Sequence, residues 1–282
     1  MNFHELSRSV KDRLVLAAVA LATLSLLAAG AHLILTAVVE GLPVLLERGV
    51  ALVLEPPGPP GGRLGGLGPS LVGTLVMVSL ASLAGVAIGV PAGILMSEYP
   101  DGWLSSAAAR ALQLIAELPS IIVGLAVFTL LVVPMGRPSA IAGAVSLCIT
   151  ALPYIAAQTR ESLAAIPLSY REAAFSLGLP RWKAVLMILV PMNFRGIATA
   201  ALLGTMRALG ETAPVLFTAG AAFFAFYGLD RPSSTLSLLI FFFAQTPYEN
   251  WKRLAWAAVL LLAALSMGLA FAVRKLSGEV RL

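Results

Sequence analysis

Six stretches of this chain are each long and apolar enough to cross a bilayer, and no other property narrows its fold so far. They run over about 14–39, 71–96, 110–133, 139–157, 195–220 and 254–273. A helix needs about 20 apolar residues to span the hydrocarbon core of ~30 Å. The expected fold class is therefore all-α and integral to the membrane, with six transmembrane helices. Composition agrees: 59% of the 282 residues are hydrophobic and 12% are charged, where a soluble domain carries about 25% charged residues.

Pro43, the stretch EPPGPPGGRLGGLGPS and Pro138 punctuate the apolar runs as loops. The Pro/Gly stretch, Pro56–Pro69, is expected to be a solvated connector. No internal repeat or second, soluble domain is expected: residues 1–13 form a cytoplasmic segment and 14–282 a membrane domain. The first run, Leu14 to Val39, could end in a signal-peptide cleavage site at Ala29-Gly30-Ala31. It exceeds the usual signal core of about 7–15 residues, so an uncleaved first span is expected. Residues 221–250 are also apolar, but Asp230, Arg231 and Pro232 split them. They read as a loop with a re-entrant or interfacial piece, a seventh span being the competing possibility.

Lysine and arginine set the orientation. With six spans, Arg8, Lys11, Arg13, Arg110, Arg160, Arg171, Arg181, Lys183, Arg195, Arg274, Lys275 and Arg281 share one side. Arg48, Arg63, Arg137, Arg231, Lys252 and Arg253 share the other, with Arg207 between. Both termini are expected in the cytoplasm. The formal charge of +5 lacks the basic runs and interleaved aromatics of a nucleic-acid binder, so none is expected. Cys148 is the single cysteine, and His4 and His32 lie far apart, so no metal site is expected. Trp103, Trp182, Trp251 and Trp256 suit interfacial belts, and Glu98 and Tyr99 end the second span as an anchor or a coupling element.

The longest basic loop, Gln158 to Pro191, contains a short helix with clear punctuation. Ser169 and Glu172 have capping-box spacing. Gly178 suits a left-handed stop, and Pro180 suits the first turn of the next helix. Tyr170, Ala173, Ala174 and Leu177 fall at i, i+3, i+4 and i+7, one apolar stripe on about eight residues. Such a helix is marginal alone and needs a surface to dock on. None of the four lysines, Lys11, Lys183, Lys252 and Lys275, precedes Ser or Thr, so there is no phosphate-binding P-loop. Any work driven by ATP would have to draw on another chain.

Arg207 lies about 18 Å into the fifth span, near the midplane. A charge there costs at least ~2.5–3.5 kcal/mol and marks a pathway or a structural ion pair. Glu211 follows at i+4, on the same helical face. Arginine presents a planar fork of donors that matches a tetrahedral oxyanion. Thr205, Thr212 and Thr218 add hydroxyls, and Pro214 frees the carbonyl of Gly210. The segment reads as a polar wall.

Two motifs carry a resemblance. REAAFSLGLPRWKAVLMILVP is similar to the EAA signature of ABC-transporter permeases, through Glu172, Ala173, Ala174, Gly178, Ile188 and Pro191, with Val190 where leucine is usual. RALGETAPVLFTAG resembles the hallmark of A-type permease subunits of phosphate-specific ABC transporters. PPGPPGGRLGGLGPSLVGTL, GVPAGILMSEY, LPSIIVGL and AWAAVLLLAAL extend that likeness over nearly the whole chain. The resemblance implies the MetI-like architecture of type I ABC importers, in the inner membrane. It also implies a C-type permease partner, two ATPase subunits and an external phosphate-binding protein. No cofactor is expected on this chain; ATP and magnesium would sit on the ATPase. Arg207 and Glu211, with Thr205 and Thr212, would line the pathway. Pro119, Ser120 and Glu117 are gate candidates, and Tyr170, Glu172, Ala173, Ala174, Leu177 and Gly178 would form the coupling helix. Glu117 stands where a small residue is usual, and would either pair with an arginine of the partner or lie near the cytoplasmic interface. The implied function is phosphate import without an enzymatic site of its own. The alternatives are import of sulfate or molybdate, or an intramembrane enzyme acting on a lipid phosphate.

Overall fold

The computed structural model of the chain describes residues 3–176 and 178–277. It is built from helices: α1 (Phe3–Arg48), α2 (Gly68–Glu98), α3 (Trp103–Glu117), α4 (Ser120–Met135), α5 (Ala140–Ala164), α6 (Leu168–Ser176), α7 (Arg181–Met192), α8 (Phe194–Leu209), α9 (Ala213–Thr218), α10 (Leu236–Ala244) and α11 (Glu249–Ser277). Among the described residues, four helices are long and apolar enough to span a membrane, or six if each of two bent pairs counts as one span.

Both bends have local causes. α3 and α4 meet at 106° through Leu118 and Pro119, both extended at ψ 135° and 130°. Proline has no N–H to donate and pushes the preceding residue out of the helical region. α7 and α8 meet at 74° at Asn193, whose Nδ2 donates to Ser162 Oγ at 3.0 Å. The Val-Pro-Met ends of α4 and α7 each follow a π-helical turn, Phe128–Val132 and Val185–Leu189. Widening the helix there accommodates the ring and the missing donor of Pro134 and Pro191.

The core forms where α2, α5 and α8 meet. Ile155 of α5 is fully buried. A Cβ added to Gly85 or Gly89 of α2 would lie 2.9 Å from its atoms, and one on Gly204 of α8 would lie 2.2 Å away. Small residues let membrane helices approach this closely, because packing rather than hydrophobicity holds them together. Gly204→Val is therefore expected to destabilise the purified chain by about 1–3 kcal/mol through overpacking. Gly268→Val, where nothing lies within 4 Å of the new Cβ, is expected to melt with the parent in detergent.

One expectation about loops is corrected. The Pro/Gly stretch is an ordered cap rather than a solvated connector. Asn250 Nδ2 donates to the carbonyls of Pro59 and Arg63, Asn250 Oδ1 accepts from Gly61 N–H, and Trp251 Nε1 donates to the Gly58 carbonyl at 3.0 Å. Leu64 to Gly68 are buried beneath it. Residues 221–248 form a loop that carries α10, whose nine residues are too few to span. Ser233, Ser234, Thr235, Leu236 and Ser237 are buried. Irregular backbone at membrane depth is tolerable only where protein satisfies it, and here it is satisfied in both directions. Leu236 N–H donates to Thr74 Oγ1 at 2.8 Å. The first amides of α5, at Ser139, Ala140 and Ile141, donate to the carbonyls of Thr218, Arg231 and Leu229. Those donors would otherwise be orphaned at a helix start.

Candidate substrate pathway

α8 ends at Leu209, and Gly210, Glu211 and Thr212 are non-helical before α9 begins with Pro214 in its first turn. Glu211 is thus beyond the helix, not one turn along its face as the sequence suggested. The pair forms nonetheless: Arg207 Nη2 lies 2.6 Å from Glu211 Oε1. The contact is a salt bridge that reaches a buried carboxylate oxygen. The Glu211 carbonyl accepts from Ser237 Oγ at 2.8 Å, which pins the break to the first turn of α10.

The partners differ in exposure. The Glu211 side chain is 6% exposed and that of Arg207 is 43% exposed. Beneath the guanidinium lies the ring of Tyr154 on α5, with its centroid 5.2 Å from Arg207 Cζ. Arg207 is therefore held by a buried carboxylate and by the face of an aromatic ring that is itself 43% exposed. Sequence reasoning missed Tyr154 and Ser237. Both act across distant parts of the chain, and only their residue types, an aromatic and a hydroxyl in apolar runs, hinted at a role.

The threonines separate from this site. Thr205 Oγ1 donates to the Ala201 carbonyl and lines an apolar groove of about 520 Å³ with Thr74, Val78, Leu209 and Leu265. Two residues on a helix turn through roughly 200°, so Thr205 and Arg207 point to opposite sides. Thr205, expected along the pathway, thus lies on a different face of α8 from Arg207. Thr218 is fully buried and bonded to the Pro214 carbonyl and to Ser146, so it is structural. Thr212 sits half-buried in the break itself, without a capping bond.

Of the gate candidates, Pro119 and Ser120 form the corner and the start of α4. One turn on, a Cβ added to Gly124 would lie 2.7 Å from Pro214 Cα, so α4 packs against α9. Glu117 is exposed at the end of α3 and accepts from Gln113 Nε2 at 3.0 Å.

The loop helix begins at Leu168, one residue before the expected cap, so Ser169 lies inside its first turn and the capping box is not formed. Tyr170 N–H instead donates to the Pro167 carbonyl at 3.2 Å. Gly178 has φ +71°, as a left-handed stop requires. Pro180 caps α7 and is not inside its first turn. The single apolar stripe is also corrected: Ala174 is 3% exposed against the chain's own body, whereas Tyr170, Glu172 and Ala173 face outward. Leu168 and Phe175 join that outward face. Leu177 lies outside the described residues, as does Arg281.

A bundle of spanning-length and broken helices, with an exposed guanidinium in the last turn of α8, is an architecture that suits a membrane permease. The family model for the binding-protein-dependent transport system inner membrane component matches residues 89–276. A probable phosphate transport system permease protein PstA from Methanocaldococcus jannaschii is 35% identical over 274 residues, 96% of this chain and 95% of that protein. The chain belongs to this family of binding-protein-dependent permeases, among the PstA proteins. The PstA of Pasteurella multocida is 34% identical, covering 93% of this chain and 92% of that one. The PstA of Yersinia pestis is 37% identical, covering 76% and 72%. These relatives are transport components rather than enzymes. A chain of the inward-facing MetNI methionine ABC transporter superposes with a TM-score of 0.62 at 21% identity, covering 76% of this chain and 96% of that one. That likeness is one of fold.

Proposed function

We propose that this chain carries inorganic phosphate inward, as one half of a permease pair driven by ATP hydrolysis on separate subunits. The carrying observation is the half-exposed Arg207 held by Glu211 and Tyr154. A guanidinium near the midplane cannot rest against lipid without a cost of at least ~2.5–3.5 kcal/mol. Its outward face is therefore the natural seam with a second permease subunit and with water. The names of the PstA relatives support phosphate as the cargo. Both termini lie in the cytoplasm in this reading, which puts α6 on the side where ATP is hydrolysed. An external binding protein would deliver phosphate at the opposite face, and ATP and magnesium would sit on the ATPase subunits.

The residues divide the work by their chemistry. Arg207 has five donors, and Glu211 engages one edge of the fork, leaving others for the oxygens of a tetrahedral anion. Charge-assisted bonds to oxyanions are among the stronger hydrogen bonds. Glu211 keeps the fork aimed when no anion is present and, as an acceptor-only group, favours an anion that still carries a proton. Phosphate at neutral pH carries one or two protons and sulfate carries none, which gives the pair a basis for telling them apart.

Uptake of radiolabelled phosphate into proteoliposomes holding the complete complex tests this reading. Excess sulfate or molybdate is expected to leave uptake unchanged, and unlabelled phosphate to abolish it. Equal competition by sulfate would overturn the assignment.

A further inference from the structure

Arg171 lies among the exposed residues of α6, yet its side chain turns inward and is 16% exposed. Its Nε and Nη2 donate to the two carboxylate oxygens of Glu98, at 3.3 and 3.0 Å. Nη1 donates to the Ile166 carbonyl at 2.5 Å, and Nη2 also donates to the Leu163 carbonyl at 2.7 Å. Glu98 is the last residue of α2 and is 2% exposed. Its Oε1 also accepts from Ser97 Oγ at 2.9 Å. One guanidinium therefore joins the end of α2, the last turn of α5 and the loop beyond it to α6. Beside it, Arg181 at the start of α7 stacks over Tyr99 at 4.8 Å, tying the other flank of the loop to the same corner.

Apolar packing cannot hold α6 in place by itself. The helix has nine residues, and among the described ones only Ala174 is buried. A buried ion pair is a poor source of net stability, since an apolar pair of similar volume often does as well. What a bidentate fork adds is fixed distance and direction. Of the carbonyls it takes, Leu163 lies in the last turn of α5 and also accepts from Ile166 N–H at 3.1 Å, and Ile166 lies in the loop beyond. The two helices it grips also pack closely along their length: Cβ atoms on Gly85 and Gly89 would lie 2.9 Å from Ile155, and one on Gly93 would lie 2.6 Å from the Ala156 carbonyl. α5 carries Tyr154, which faces Arg207. A displacement of α6 thus reaches the anion site through rigid contacts.

We infer that the Arg171–Glu98 pair is a clasp that transmits movement of α6 to α2 and α5, and so couples ATP hydrolysis on the partner to opening of the pathway. The inference rests on the transport reading above. Arg171 and Glu98 are positioning residues and touch no substrate.

The test measures ATP hydrolysed and phosphate moved by the full complex in proteoliposomes. Glu98→Gln keeps shape and removes the charge, and Arg171→Lys keeps the charge and removes the fork. Both complexes are expected to retain their ATPase subunits and hydrolyse ATP within about twofold of the parent. The ATP used per phosphate is expected to rise at least ~10-fold for Glu98→Gln and by less for Arg171→Lys. An unchanged ratio in both variants overturns the clasp, whether the two rates stay normal or fall together. Loss of the ATPase subunits from the Glu98→Gln complex also overturns it, by making the pair purely structural. The parent complex separates the two readings: no phosphate uptake by it sinks the transport assignment, while normal parental uptake with an unchanged variant ratio sinks only the clasp.

Discussion

Replacing Arg207 by glutamine is expected to lower phosphate uptake at least ~100-fold while the complex still assembles. Hydrogen bonds to charged groups contribute about 1.5–3 kcal/mol each. Losing two of them removes roughly 3 kcal/mol or more, and each 1.36 kcal/mol is a tenfold change in rate. The substitution also leaves Glu211, 6% exposed, without its counter-charge, which is itself costly. The double variant Arg207→Gln/Glu211→Gln separates the two effects, because it removes both charges and keeps both shapes. If Arg207 serves the anion, the double variant is as inactive as the single one. If Arg207 only neutralises Glu211, the double variant regains uptake, and the pathway role fails. Arg207→Lys retains charge without the planar fork and is expected to lose about tenfold.

The second large effect is expected at the loop helix, where adjacent alanines differ sharply in exposure. Ala173 is exposed and Ala174 is 3% exposed. Ala173→Trp places a bulky ring on the outward face. The chain is expected to insert and melt normally, yet to co-purify without its ATPase subunits and to take up no phosphate. Ala174→Trp puts the same ring into a packed contact and is expected to damage the chain itself, lowering its melting temperature and yield. Co-purification together with thermal melting of both variants checks the contrast. Normal assembly by the Ala173→Trp complex would show that α6 does not dock there.

Much of the architecture was legible along the chain. The apolar runs of about 20 residues located the long helices, and Asp230-Arg231-Pro232 marked the loop that leads into α10. The charges at Arg207 and Glu211 stood out because an apolar surround makes any charge expensive. Gly178 announced a left-handed stop, since only glycine adopts that conformation freely. Two further signals were present and went unused. Glycines four apart at 85, 89 and 93 mark one face of close helix packing. The 200° between positions 205 and 207 already separated Thr205 from the arginine. The cap pinned by Asn250 and the site roles of Tyr154 and Ser237 had no comparable local signal. Each depends on a group dozens to nearly two hundred residues away, which no periodicity encodes.

By itself, the order of residues determined that this chain lives in a bilayer as helices, where its oily runs and its charges fall, and which residues fold the docking loop. The cause is local, because transfer from water to hydrocarbon depends on each segment's own side chains and length. Only the tertiary structure decided which side of Arg207 is open and which is held. It also decided that α6 presents Ala173 and hides Ala174, and that Arg171 turns from the loop surface to grip Glu98. Those outcomes depend on which helices meet and how closely, and small side chains at their crossings set that distance.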